Sequence, residues 1–256
     1  MAAVLVTGAG SGFGLGAATA LAAAGHRVFA AVERDEQIAT TRAALAENGQ
    51  HAEVLRLDLL DDDDIARAAR LEATVLINNA GTGAEGPILL TDIEAVRHTF
   101  DVNVFGTLKL TQLFTRRMIS AGRQGRIVFV TSVAGLFVAP GAGAYGASKH
   151  ALEVVARASY QELLPHGIDV RVVEPGPFRT GFNERLIERA PQSDHDFSDF
   201  LANQIDPQGC IDTIVRVATG DSRYRTIVPA SMKSRIVEYQ DLLWAQTDVA
   251  LEGDQR

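Results

Sequence analysis

The sequence contains a single cysteine, Cys210, among its 256 residues. No disulfide can form within the chain, and this usage suits a reducing compartment. The thiol stands just before an apolar stretch, Ile211 to Val217, which predicts a buried structural role. No apolar run approaches the ~20 residues of a membrane-spanning helix. No charged leader or signal-type segment precedes the first strand-like run, so a cytoplasmic location is expected. Basic residues are in deficit: 24 Lys and Arg stand against 32 Asp and Glu, a net charge of −8. A nucleic-acid surface needs a basic patch, and this balance argues against one. The six histidines show no metal-ligand spacing such as H-E-x-x-H, so no metal is expected. The one dense acidic run, Asp61 to Asp64, opens a helical stretch, Ile65–Arg70. Carboxylates there cap free N–H groups and meet the positive end of the helix, a better account than a cation site. Low-complexity linkers and internal repeats are also missing.

What is present is apolar and alternating. Hydrophobic residues make up 46% of the chain, enough for a large buried core. Strand-like runs stand at Val4–Thr7, Arg27–Val32, Glu53–Leu57, Thr74–Asn78, Arg126–Thr131, Asp169–Val173 and Arg225–Val228, with helix-like stretches between most of them. This rhythm predicts an α/β fold, a parallel sheet covered by helices on both faces. One domain over residues 1–256 is expected.

The first strand ends in a glycine-rich turn, Thr7-Gly8-Ala9-Gly10-Ser11-Gly12-Phe13-Gly14, followed by an alanine-rich helical segment, Ala17 to Ala24. Glycines there let the backbone turn tightly and approach a pyrophosphate, which then sits on the helix N-terminus. The spacing of Gly8, Gly12 and Gly14 is G-x-x-x-G-x-G, not G-x-G-x-x-G. Alone it also fits a tight turn without a ligand. With it, the expected fold is a Rossmann-like, doubly wound parallel sheet.

A second cluster is Tyr145-Gly146-Ala147-Ser148-Lys149, with Ser132 thirteen residues before the tyrosine. Residues four apart share a helix face. Free tyrosine has a pKa near ~10, and a nearby cation favours the phenolate. Bringing the phenol to about 7 takes roughly 4 kcal/mol of differential stabilisation. A Ser, Tyr and Lys in one site can move a proton to or from an alcohol oxygen. A tyrosine and lysine at this spacing are commonplace by themselves; the glycine loop is what raises them to candidates.

Together the clusters resemble the short-chain dehydrogenase/reductase family in its single-domain form. The ordered set is the glycine loop, Asp58 after the third strand, Asn78-Asn79-Ala80-Gly81, Asn103, Ser132, Tyr145 with Lys149, and Pro175-Gly176 before Thr180. It covers residues 3–180 well and the remainder loosely. The resemblance implies reversible hydride transfer between NAD(P) and a secondary alcohol or ketone. It implies Tyr145 as acid and base, Ser132 orienting the substrate oxygen, and Lys149 serving both the tyrosine and the nicotinamide ribose. It implies that Asn103 kinks a long helix, Asp92 to Ser120, and holds a proton-relaying water. Gly8, Ser11, Gly12, Phe13, Gly14, Asn79, Ala80 and Gly81 would line the cofactor. Asp58 would meet the adenine, Thr180 the carboxamide, and Pro175 and Gly176 the floor beneath the nicotinamide. Glu174 departs from the family's usual Asn or small residue before that proline.

The second strand ends Val32-Glu33-Arg34. A carboxylate at Glu33 repels a 2′-phosphate and can accept from a free 2′-hydroxyl, which favours NAD(H). Arg34 suits a phosphate and keeps NADP(H) open. Residues 181–205 read as a substrate lid, with Phe182, Leu186, Ile187, Phe197, Phe200 and Leu201; Phe137 and Val138 would line the opposite wall. An apolar or cyclic substrate follows, because no Arg or Lys cluster marks an anionic handle. Packing of the lid onto the body accounts for the same residues. By resemblance the chain is a homodimer or homotetramer, with helices around Val102–Met118 and Ala151–Leu164 apolar on more than one face. Two other functions remain open: a catalytically silent NAD(P)-binding regulatory protein, and a lyase on the same fold. Tyr145, Lys149 and the complete glycine run argue against both.

Overall fold

A computed structural model describes residues 1–84, 86–188, 198–220 and 223–247; for Asp199 and Phe200 it describes the backbone alone. Seven parallel strands form one sheet in the order β3-β2-β1-β4-β5-β6-β7. They are β1 Ala3–Val6, β2 Arg27–Val32, β3 Glu53–Arg56, β4 Val75–Asn78, β5 Gly125–Val130, β6 Ile168–Pro175 and β7 Arg225–Val228. Every expected strand exists, with ends shifted by at most two residues. The helices are α1 Gly12–Ala23, α2 Glu36–Glu47, α3 Asp62–Ala69, α4 Ile93–Phe100, α5 Thr107–Ser120, α6 Gly143–Leu163, α7 Phe182–Glu188, α8 Ser198–Ala202, α9 Gln208–Thr219 and α10 Met232–Ala245.

Side chains alternate across a strand, and the burial follows that period. Val4, Val6, Val28, Ala30, Val75, Ile77 and Val128 pack beneath α1 and α9, with Leu21, Cys210, Ile214 and Val217. Leu5, Phe29, Leu76, Ile127, Phe129 and Val172 pack on the other face, with Leu110, Phe114, Met118 and Leu152 of α5 and α6. Fully burying a side chain such as Phe114 or Phe129 stabilises the fold by about 2–3 kcal/mol. Two-sided burial is why the strands are near-continuous apolar runs. Cys210 has no exposed surface, and burial pushes its thiol up to about 12, so it packs as a small apolar group. Asp61 caps α3 by accepting from Asp63 N and Asp64 N at 2.9 and 3.1 Å, as its place at a helix start predicts.

The expected long helix is two helices joined by a π-turn, Asp101–Gly106. Thr107 Oγ1 donates to the Val102 carbonyl five residues back, at 3.2 Å, which satisfies a group displaced by the wider turn. A Cβ at Gly106 would strike the Leu59 carbonyl, so the turn lies flush on the β3–α3 connection.

Thr7 ties the sheet edge together. Its buried Oγ1 accepts from Asn79 N at 3.0 Å and Ala80 N at 2.9 Å. Thr7→Val keeps the shape and removes both bonds. It should destabilise the chain by about 1–3 kcal/mol, because Ala80 N loses its partner while Asn79 N keeps the Ile77 carbonyl at 3.1 Å. Urea unfolding measures this; an unchanged midpoint would mean that water satisfies the freed donor.

Candidate active site

The carboxyl ends of β1 and β4 diverge, as they must where strand order reverses, and the candidate residues gather there. Gly12 has φ +53°, a conformation that glycine adopts without strain. A Cβ at Gly14 would run into the Gly8 carbonyl, so only glycine lets the helix start this close to the loop. Ser11 stands at the N-cap of α1 but makes no side-chain cap bond. The first N–H groups of α1 are therefore left to an anion at its positive end. Asn79 Nδ2 donates to the Thr7 and Gly8 carbonyls at 2.9 and 3.3 Å, so its amide shapes the loop. The Phe13 ring meets Phe178 edge-on at 5.5 Å. Thr180 lies against Gly12, and its Oγ1 accepts from Phe182 N at 3.4 Å at the start of α7. This uncapped, glycine-cradled helix start fits a pyrophosphate.

Asn103, on the π-turn, is buried and makes three hydrogen bonds. Its Oδ1 accepts from Thr82 N at 2.8 Å; its Nδ2 donates to the Thr82 carbonyl at 2.7 Å and to Ser148 Oγ at 2.9 Å. Ser148 in turn donates to the Tyr145 carbonyl at 2.7 Å. Lys149 is buried on the same helix, donates to the Val130 carbonyl at 3.3 Å, and holds its Nζ 5.6 Å from the Tyr145 ring centre. Burial pushes the Lys149 ammonium down to about 8, against the Glu153 carboxylate, which raises it. A Cβ at Gly81 would lie 3.2 Å from Asn103 Oδ1 and 3.6 Å from Lys149 Nζ, so this glycine lets the loop pass between them. Ser132 stands two residues past β5 and opens a short turn, Val133–Gly135, which packs on α6. Its Oγ accepts from Ala134 N at 3.1 Å and lies 3.5 Å from the Pro175 carbonyl.

The other expected residues lie along the same edge. Asp58 Oδ1 accepts from Leu60 N at 2.9 Å, and buried Asp64 accepts from Asp58 N at 3.0 Å, fixing the turn after β3. Glu33 and Arg34 are exposed at the end of β2. Gly176 N donates to the Val228 carbonyl at 2.6 Å, which anchors the Pro175-Gly176 turn to β7. Of the expected lid, α7 and α8 are described; Phe197 and the side chain of Phe200 lie outside the described residues. The Phe182 ring sits 5.7 Å from that of Tyr145, and Phe137 meets Tyr239 at 6.0 Å.

Several structural partners are not apparent in the motifs. Thr7, Thr82 and Ser148 hold the site by bonds that join segments far apart in sequence. Gln37 accepts from Arg34 N at 2.9 Å and lies over Gly10. Among these, Ser148 and Thr7 stand inside quoted motifs, and their hydroxyls were the available signal.

Known proteins agree with this geometry. The family pattern described as short chain dehydrogenase matches residues 2–191. Human retinol dehydrogenase 8 is 33% identical over 239 residues, 84% of this chain and 76% of that protein. The NADPH-dependent 3-dehydrocapnine reductase of Ornithobacterium rhinotracheale is 30% identical over 251 residues, 91% of this chain and 86% of that one. A short-chain dehydrogenase structure from Streptomyces avermitilis superposes with a TM-score of 0.80 at 30% identity, over 96% of this chain and 94% of that one. The diverging strand ends, the glycine-cradled helix start and the Tyr145–Lys149 face thus stand on a chain that belongs to the short-chain dehydrogenase/reductase family, a group of NAD(P)-dependent oxidoreductases.

Proposed function

We propose that the chain interconverts a secondary alcohol and a ketone, with Tyr145 exchanging the proton at oxygen. The observation that carries this reading is a buried ammonium 5.6 Å from the Tyr145 ring, one helical turn away on α6. When bound, the nicotinamide supplies the hydride in reduction and accepts it in oxidation. The glycine loop, with Gly8, Ser11, Gly12 and Gly14, would hold the pyrophosphate on α1. Lys149, Ala80, Gly81, Pro175, Gly176 and Thr180 would hold the nicotinamide half, and Asp58 the adenine. In reduction, the Tyr145 phenol gives its proton to the carbonyl oxygen while Ser132 orients that oxygen. The Lys149 cation stabilises the phenolate that remains. Asn103 anchors the path by which a proton returns through Lys149.

Phe182 beside Tyr145, and Leu186 next to Gly83, favour an apolar or cyclic substrate. The name of retinol dehydrogenase 8 accords with this. Phe105, Ile119, Val154 and Leu164 are exposed on and around the π-turn, α5 and α6, which supports a homodimer or homotetramer. Leu113, Leu152, Val155 and Leu163 pack on the core instead. Light scattering should give at least twice the 27.4 kDa of one chain; a stable monomer at micromolar concentration would count against assembly.

Absorbance in the reduced-nicotinamide band, with a panel of apolar ketones and alcohols, tests the reaction. Tyr145→Phe should lose on the order of 10²–10⁴ in kcat, with fold and cofactor binding kept. Near-normal turnover by that variant would remove the acid–base assignment. The Lys149 charge is present below about 8 and lost above it, so kcat/KM in the reduction direction should fall as pH rises through that value. A profile flat to pH 10 would contradict it.

For the cofactor, Glu33 favours NAD(H), because a 2′-phosphate beside its carboxylate is repelled. Arg34 and the NADPH dependence named for the capnine reductase favour NADP(H). Glu33→Ala should narrow the preference for NADH by about 1 kcal/mol in titrations at fixed salt. A wild type that prefers NADPH, and loses that preference in Arg34→Ala, assigns the choice to Arg34.

A further inference from the structure

One turn of α6 beyond Lys149 stands Glu153, almost wholly buried. Strand β6 alternates, so Ile168, Val170, Val172 and Glu174 follow one another on the sheet face that α6 covers. The first three are core residues; the fourth is a carboxyl with no exposed surface. Neighbouring β7 brings Arg225 to the pair. Its Nη2 donates to Glu153 Oε2 at 2.9 Å, and its Nε lies 2.8 Å from Glu174 Oε1. The guanidinium side chain is 43% exposed while Glu174 is not exposed at all, so the cation caps a buried acidic pair from the solvent side.

Two carboxyls thus share one guanidinium. Both written as carboxylates, they leave Glu153 Oε1 and both Glu174 oxygens without an aligned donor among the described residues. Like charges in contact resist double ionisation, and an uncompensated buried charge costs several kcal/mol. A single proton between the two supplies a donor to one of these three oxygens. The other charged or titratable groups around the cluster are Lys149 and Arg157 on α6, Tyr160 on the same helix, and Tyr224 before β7. Arg157 lies over the Tyr224 ring at 5.1 Å, and Tyr160 stacks on Tyr224 at 4.7 Å. None of these donates to Glu174 among the described residues.

We propose that Glu153 and Glu174 hold one proton between them, and that this pair, anchored by Arg225, sets the pH at which Lys149 loses its charge. The proposal rests on the role given to Lys149 above. Neither glutamate touches a substrate; both are positioning residues. At neutral pH Glu174 carries the proton and donates it in a hydrogen bond to Glu153, one turn from the ammonium. Burial and the Glu153 carboxylate push Glu174 up to about 8, the same range to which burial brings Lys149 down. As pH rises, loss of the shared proton adds a second negative charge to the cluster and prolongs the lysine cation.

Infrared spectra of the full chain labelled with 13C-glutamate read the proton directly. The wild type should show a protonated-carboxyl stretch at pH 7 that vanishes above about pH 9. Glu153→Gln and Glu174→Gln should each abolish it, because the remaining carboxyl then pairs with Arg225 alone. Absence of the band in wild type at pH 7 overturns the proposal, and that measurement needs no variant to fold. In Glu153→Gln the alkaline limb of kcat/KM should move down by roughly one pH unit, since the nearest anion to the ammonium is gone. Activity lowered equally at every pH, with the limb unmoved, makes the pair merely structural and overturns its tuning role. If no alcohol or ketone is turned over, the proposed reaction fails; the band still decides the shared proton. The pH dependence of cofactor dissociation then replaces the rate limb, with the same shift expected and an unmoved limb overturning the tuning role.

Discussion

The hydroxyl of Thr7 closes the base of the crevice between β1 and β4, and the site is built outward from that point. Strand order reverses there, so the chain leaving β1 and the chain leaving β4 part company. Parting strands expose backbone N–H groups that no ladder can satisfy. One oxygen accepts two of them, from Asn79 and Ala80, while the Asn79 amide returns bonds to the carbonyls of Thr7 and Gly8. The glycine loop is therefore held by its neighbour strand as well as by its own turn.

A second clamp carries that rigidity to the reacting side. The loop after β4 runs on to Thr82, whose peptide groups pair with the Asn103 amide as one strand pairs with another. The same amide reaches Ser148, which holds the Tyr145 carbonyl. Chain segments around positions 80, 103 and 148 are thus locked by three bonds from one side chain. Lys149 gains its burial from this closeness. Its lowered proton affinity is a property of the packing, with Glu153 opposing it.

The fold was legible because two-sided burial writes each strand as an apolar run. Arg27–Val32 and Arg225–Val228 begin and end where the pattern says. The Tyr145–Lys149 face of α6 was legible because the two residues are one turn apart, a purely local relation. Long-range relations were not. Glu174 stands out in sequence as an acid in a strand, yet its partners lie 21 and 51 positions away, and only the topology brings α6, β6 and β7 together. Residues 189–197 of the expected lid lie outside the described residues. The break at Asn103 was implied by the family resemblance and not by periodicity. Apolar spacing from Asp92 to Ser120 reads as one helix whether or not a turn in its middle is widened.

That widened turn is a phase correction. A π-turn accommodates one residue more than the α-helix it interrupts. Each residue advances an α-helix by about 100°, following from about 3.6 residues per turn. With the extra residue absorbed, Leu110, Phe114 and Met118 of α5 cap the sheet. Were residues 101–106 to relax into regular α-helix with every position kept, α5 would turn by about that angle relative to α4 and carry those side chains off the sheet. Loss of one position from the same stretch would instead leave an unbroken helix with the α5 face where it is, and would remove the wide turn that presents Asn103 to Thr82 and Ser148.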